Sequence, residues 1–211
     1  MKVTVVAAQK GGAGKTTTTA HLGVELERQG YGPVVLIDLD PQGSLKLWFA
    51  DRTADAPAFL ESTPDKLEAH LKWLADKGYK VAVVDTPPQV DEPVQAAIAQ
   101  ADLVIVPSTA SPLDLRAIGP TVGMVNGAGK PLVFLLDRAR PRSRLGNDTI
   151  MAMSQHGTVA PSILHGRDDY AISMADGRVA QELDGEGKSA FEVRKLAKYI
   201  AERLGLQKEG K

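Results

Sequence analysis

The sequence predicts an α/β fold built on a mainly parallel, twisted sheet with helices on both faces. Three observations lead there. Short β-branched runs alternate with longer helical stretches along the whole 211-residue chain, the order that sets crossover helices between parallel strands. Several strand candidates are apolar at consecutive positions rather than at every second one, as burial on both faces requires. A glycine-rich segment, residues 9–17, joins the first strand candidate to the first helix.

In chain order, the strand candidates are Lys2–Ala8 (KVTVVAA), Val34–Asp38 (VVLID), Lys80–Asp85 (KVAVVD), Leu103–Pro107 (LVIVP), Leu132–Asp137 (LVFLLD) and Thr158–Leu164 (TVAPSIL). Helical patterns fill the gaps at Thr16–Gln29, Pro64–Lys77, Pro93–Gln100, Leu113–Val125, Asn147–Gln155 and Ser189–Leu204. Gly119-Pro120 interrupts the fourth of these. No repeat, low-complexity tract or linker divides the chain, so residues 1–211 are expected to form a single domain, long enough to bury about 70% of its unfolded surface.

Composition removes several function classes. The 25 Lys+Arg balance 26 Asp+Glu, so any nucleic-acid contact must come from a local patch. Cysteine is absent, which excludes a disulfide framework, thiolate zinc, Cys-ligated iron–sulfur clusters and a cysteine nucleophile. No uncharged apolar run approaches the roughly 18–20 residues of a membrane span. Val3–Ala8 is too short for a signal-peptide core. A cytoplasmic location is the expectation.

The strongest motif is Gln9-Lys10-Gly11-Gly12-Ala13-Gly14-Lys15-Thr16-Thr17. It matches K-G-G-x-G-K-[ST]-[ST], a variant of the phosphate-binding loop, with a strand before it and a helix after. Glycines let the backbone curl so that successive N–H groups face phosphate oxygens, and the helix N-terminus adds partial positive charge. Lys15 can then reach the β- and γ-phosphates, and the Thr16 hydroxyl can ligate Mg²⁺. The bland alternative is a glycine-rich turn that binds nothing.

Lys10 adds more positive charge than one triphosphate cradle needs; taken alone it could be a solvated loop residue. With it, the segment resembles the ParA/MinD group of P-loop ATPases, whose deviant Walker A motif begins with such a lysine. The resemblance implies ATP and Mg²⁺ as cofactors. It also implies an ATP-sandwich homodimer in which Lys10 reaches the nucleotide of the other subunit.

Asp38 and Asp40 lie in Asp38-Leu39-Asp40-Pro41-Gln42-Gly43-Ser44 at a strand C-terminus, where ligands sit in open α/β sheets. Alone, this could be a capping turn. The family pattern makes it a switch-like segment, with Asp40 orienting the attacking water and Asp38 supporting the magnesium site. Asp85 closes Val81–Asp85 ahead of Thr86-Pro87-Pro88, like the family's Walker B region, and is expected to hold the metal's water shell. Ser111-Pro112-Leu113-Asp114 and the segments Arg167–Leu183 and Lys188-Ser189-Ala190 also resemble the family, so the similarity spans nearly the whole chain. The small plasmid-partition ParA proteins, which lack an N-terminal helix-turn-helix domain, look most alike; Met1 stands only nine residues before Lys10.

One position departs. The family's base-recognition residue is usually Asn in an N-R pair; here it is Asp137-Arg138. An Asp can accept from the adenine N6 amine but cannot donate to N1, and it could equally accept from guanine N1 and N2.

The expected function is an ATP hydrolase, slow without a partner, that dimerises on ATP and binds DNA without sequence preference. It would partition plasmid or chromosomal DNA with a small DNA-binding partner of the ParB/ParG kind, and would associate with the nucleoid. Lys10, Lys15 and Asp40 are the candidate catalytic residues, and Gly11–Thr17 with Asp137 and Arg138 the nucleotide contacts. Two alternatives belong to other classes. A MinD-like membrane-cycling ATPase needs a C-terminal amphipathic helix, whereas Val193, Leu196, Ala197, Ile200 and Leu204 are spaced as a core stripe, and the tail from Gly205 to Lys211 is short and polar. A metabolic P-loop ligase needs an acid–base pair beyond the ATP site, and none is evident. No membrane partner is expected. For DNA, Arg138, Arg140, Arg142 and Arg144 form the most basic stretch, with Lys188, Arg194, Lys195 and Lys198 as the competing patch; an exposed, merely solvated loop is the bland reading.

Overall fold

The computed structural model describes residues 1–88 and 92–208. In chain order the strands are β1 (Lys2–Val6), β2 (Val34–Asp38), β3 (Ala58–Glu61), β4 (Val81–Asp85), β5 (Leu103–Thr109), β6 (Leu132–Ala139), β7 (Thr158–Val159) and β8 (Leu164–His165). They form one sheet in the order β3-β2-β4-β1-β5-β6-β7, with β8 also on β6, and every described pairing is parallel. The helices are α1 (Lys15–Arg28), α2 (Ser44–Ala50), α3 (Leu67–Asp76), α4 (Glu92–Gln100), α5 (Pro112–Ala117), α6 (Gly119–Gly127), α7 (Arg144–Ser154), α8 (Asp168–Met174), α9 (Ala180–Leu183) and α10 (Lys188–Leu204).

Consecutive apolar residues in the strands feed two separate cores. Val6, Leu36, Val83, Ile105 and Leu135 face one side, where α1 and α10 cover them. Their neighbours Val5, Ile37, Val84, Val106 and Phe134 face the other, under α3, α4, α6 and α7. This is the pleat of a sheet buried on both faces.

The structure revises the sequence expectation in several places. Thr158–Leu164 is not one strand: β7 and β8 pair with β6 at separate points, because Pro161 between them has no N–H for the ladder. The helix expected at Leu113–Val125 divides into α5 and α6 at Ile118, next to the Gly119-Pro120 interruption. β3, α2, α8 and α9 were not anticipated.

The strand order places the site. The chain leaves β1 in the middle of the sheet, with β4 on one side and β5 on the other. This is the switch point where a crevice opens beyond the strand C-termini.

Candidate functional site

The loop between β1 and α1 is shaped by its glycines. Gly12 and Gly14 have φ of 71° and 88°, left-handed values that an L side chain adopts only with strain. A Cβ on Gly14 would also overlap the carboxylate of Asp137. Gly14 caps α1 without any side-chain hydrogen bond, so the first-turn N–H groups are left for an anion.

Lys15 begins α1 and is only 7% exposed. Burial lowers its pKa, while Asp85 and Asp40 oppose the shift. The Thr16 hydroxyl donates to Asp85 Oδ2 at 2.6 Å. Asp85 is fully buried; burial pushes its carboxyl up to about 7, against the Thr16 hydrogen bond. Its Oδ1 is buried with no hydrogen-bond partner among the described residues. An orphaned carboxylate oxygen beside a hydroxyl is a hard-oxygen pair that suits Mg²⁺, an ion that keeps several waters and needs few protein ligands.

Asp38 and Asp40 shape the next turn. Asp38 Oδ1 accepts the Asp40 N–H at 2.9 Å, and Oδ2 accepts the Lys46 N–H at 3.0 Å. The second contact caps α2 from a distant strand end. Burial raises the Asp38 pKa, and the two backbone donors oppose it. Asp40 Oδ1 accepts the Gln42 N–H at 2.9 Å and is only partly buried.

The loop residues and Asp40 line one open cavity of about 750 Å³, with Asp38 and Asp85 buried behind them. Gly11 to Thr17 and Asp40 form one wall, and Asp137 with Arg138 another. Arg138 sits at φ 50°, a left-handed position that costs a non-glycine residue roughly 1–3 kcal/mol, and its guanidinium donates to the Gly12 carbonyl. Sequence reasoning missed the third wall. Trp48 of α2 and Arg167, Asp168 and Tyr170 around α8 complete the cavity. Glu192 of α10 holds this wall: it accepts from the Arg167 guanidinium at 2.7 Å, the Tyr170 hydroxyl at 2.9 Å and the His165 N–H at 3.1 Å. No motif spacing links residues on three elements in this way.

Lys10 does not line this cavity. Its ammonium pairs with Asp114 Oδ1, and Asp114 Oδ2 accepts from the Thr109 hydroxyl at 2.5 Å. Burial works against the Asp114 carboxylate, but Lys10 and Thr109 hold its pKa below the ordinary value. Arg140, Arg142 and Arg144 are exposed, as are Lys188, Lys195 and Lys198. Arg194 donates to the Gly185 carbonyl.

A buried lysine and a half-buried threonine at the first strand–helix turn of a parallel sheet, beside an acidic strand end, define the P-loop class of α/β proteins. Residues 4–57 match the CobQ/CobB/MinD/ParA nucleotide binding domain. The maintenance of carboxysome distribution protein A of Halothiobacillus neapolitanus is 31% identical over 196 residues, 88% of this chain and 89% of that one. Protein ParA of Rhizobium radiobacter is 38% identical over 117 residues, 54% of this chain and 51% of that one. A solved structure of a Cyanothece McdA variant in complex with ATP superposes with a TM-score of 0.75 at 20% identity. That match covers 100% of this chain and 99% of that one, and it bears on the fold alone. The chain belongs to the ParA/MinD family of ATPases.

Proposed function

We propose that this chain is a nucleotide-switched positioning ATPase: Mg-ATP joins two copies, the dimer holds DNA without sequence preference, and hydrolysis releases it. The observation that carries the reading is the convergence of Lys15, Thr16 and Asp40 on one cavity, with Asp85 bonded behind Thr16 and Lys10 outside. A lysine that its own cavity does not use is free to serve a second copy's nucleotide once it leaves Asp114.

Within this reading, Gly11–Thr17 cradle the phosphates and Lys15 neutralises charge between β and γ. Thr16, with Asp85 and Asp38 behind it, would hold Mg²⁺, which supplies charge neutralisation on the phosphates. Asp40 orients the attacking water. Its partial exposure suits that task, whereas Asp38 has both oxygens on backbone donors. Hydrolysis is slow alone, because phosphoryl transfer depends on positioning that a partner completes. Residues 1–211 act as one domain.

Relatives named as a carboxysome distribution protein and as ParA support the reading, which is of DNA-tracked positioning of a cargo with a small DNA-binding partner. A membrane-inserting α10 is disfavoured. Its stripe of Val193, Leu196, Ala197, Ile200 and Leu204 is buried against the sheet, and no helix among the described residues is long and apolar enough to cross a membrane. The tail from Gly205 is polar, with residues 209–211 outside the described residues.

Fluorescence anisotropy with unrelated DNA duplexes tests the reading. Wild-type protein with Mg-ATP should bind all of them, with a log K against log salt slope of roughly −0.9 per phosphate contacted. Arg140→Glu with Arg142→Glu should flatten that slope and spare ATP binding. Absence of DNA binding with Mg-ATP at low salt would sink the DNA part of the reading.

A further inference from the structure

The cavity that would take a nucleotide is lined by a buried carboxylate. Asp137, near the C-terminal end of β6, is 6% exposed and lies against the phosphate loop at Gly14. Among the described residues its one charged partner is Arg138, whose Nε is 3.3 Å from Oδ2, and that guanidinium is shared with the Gly12 carbonyl. The elements packed around Asp137 bring little compensating charge. β5 sets Thr109 opposite it and β8 sets Leu164. From α8, Tyr170 has its hydroxyl on Glu192, and Asp168 adds a like charge to the cavity wall. The Arg167 guanidinium is held by Glu192, and Lys15 is balanced by Asp85 and Asp40.

We propose that Asp137 is a neutral carboxylic acid in the nucleotide complex and reads the base through one donor and one acceptor. The proposal rests on the ATP reading above. An ionised carboxylate has acceptors only. It could take a proton of the adenine amine, but its other lone pairs would face the lone pair of the neighbouring ring nitrogen. Protonated, the same group donates to that ring nitrogen and accepts from the amine, which is the pattern a carboxamide presents. A triphosphate entering the loop adds negative charge beside a buried acid, and like charges favour the neutral form. Burial already pushes the Asp137 carboxyl up to about 6, against the pull of Arg138. The balance is simple: one proton moves from solvent to a carboxylate oxygen as each nucleotide binds, and returns when it leaves.

Calorimetry of Mg-ATP binding near pH 7.5, repeated in buffers of different ionisation enthalpy, counts that proton. Asp137→Asn, which carries donor and acceptor permanently, supplies the background from the nucleotide itself. Wild type should take up close to one proton more per site than Asp137→Asn. Its affinity should fall as pH rises from 7 to 8, by up to tenfold per unit, while the variant's stays flat and is at least as tight at the upper end. Equal proton counts, or parallel pH profiles, overturn the proposal while leaving the ATP reading intact. If Asp137→Asn does not fold, the wild type alone decides: no change in affinity between pH 7 and 8 overturns it. Failure of both proteins to bind ATP removes the ATP reading and the proposal with it.

Discussion

Lys15 and Asp40 line the same cavity and are expected to fail differently when removed. Lys15 is buried beside Asp85 and Asp40, so its loss would delete the cation proposed to grip the phosphates and leave those acids unopposed. Lys15→Ala should weaken ATP binding by roughly 100-fold or more, as loss of charged hydrogen bonds worth about 1.5–3 kcal/mol each implies. Asp40 is half-buried in the cavity lining, and a carboxylate offers phosphate no donor. Asp40→Ala should therefore keep near-native ATP affinity in calorimetry while turnover drops by about 10²–10⁴, the span of a lost general base. Near-native ATP binding by Lys15→Ala would misplace the cradle; unchanged turnover in Asp40→Ala would remove it from the chemistry. Both residues were legible in the sequence, because each stands in a contiguous motif at a strand end. Asp114 was not legible as the partner of Lys10. The two are 104 positions apart, and only the parallel pairing of β1 with β5 brings their ends together.

Elements were legible where the local pattern matched the burial. β2 falls at Val34–Asp38 as expected, and α10 differs from its expected range by one residue at its start. Those that escaped notice are held by tertiary contacts. α2 donates its Lys46 N–H to Asp38, and α9 is tied to α1 through His21, which has no motif around it. The His21 ring shows how. Nδ1 lies 2.8 Å from the Thr17 carbonyl, so it carries the proton, and Nε2 accepts the Ala180 N–H at 3.0 Å. A second proton on Nε2 would displace the Ala180 N–H and have the Ser173 hydroxyl at 3.4 Å to face, and burial pushes the His21 pKa down to about 4. The unfolded chain, near 6.5, therefore binds that proton first. His21 costs stability as pH falls from 6.5 to 4, by about 3 kcal/mol in all. Asp85 and Asp137, raised to about 7 and about 6, act in the opposite sense over the same range, so the total profile hides the effect. The difference between wild type and His21→Gln in urea unfolding isolates it: wild type should lose stability relative to the variant on acidification. A constant difference from pH 7 to 4 would mean His21 is not the neutral link between α1 and α9.

At the scale of the molecule, the sheet order gathers the ends of β1, β2, β4 and β6 around one crevice. The alternation of strands and helices made that architecture legible before any coordinate. The third wall was not, since Arg167, Tyr170 and Glu192 meet only once α8 and α10 have packed. The proposed dimer would rest on Lys10, which Asp114 holds beside the cavity rather than in it. A second copy's nucleotide has to outcompete that ion pair, a switch that ADP, lacking the γ-phosphate, should fail to throw. Light scattering of wild-type protein and Lys10→Ala, each with Mg²⁺ and a non-hydrolysable ATP analogue, tests this most directly. The account predicts that wild type doubles in mass with the analogue and not with ADP, while Lys10→Ala binds the analogue and remains a monomer. A wild type that stays monomeric with saturating analogue, or a Lys10→Ala variant that dimerises like wild type, would contradict it.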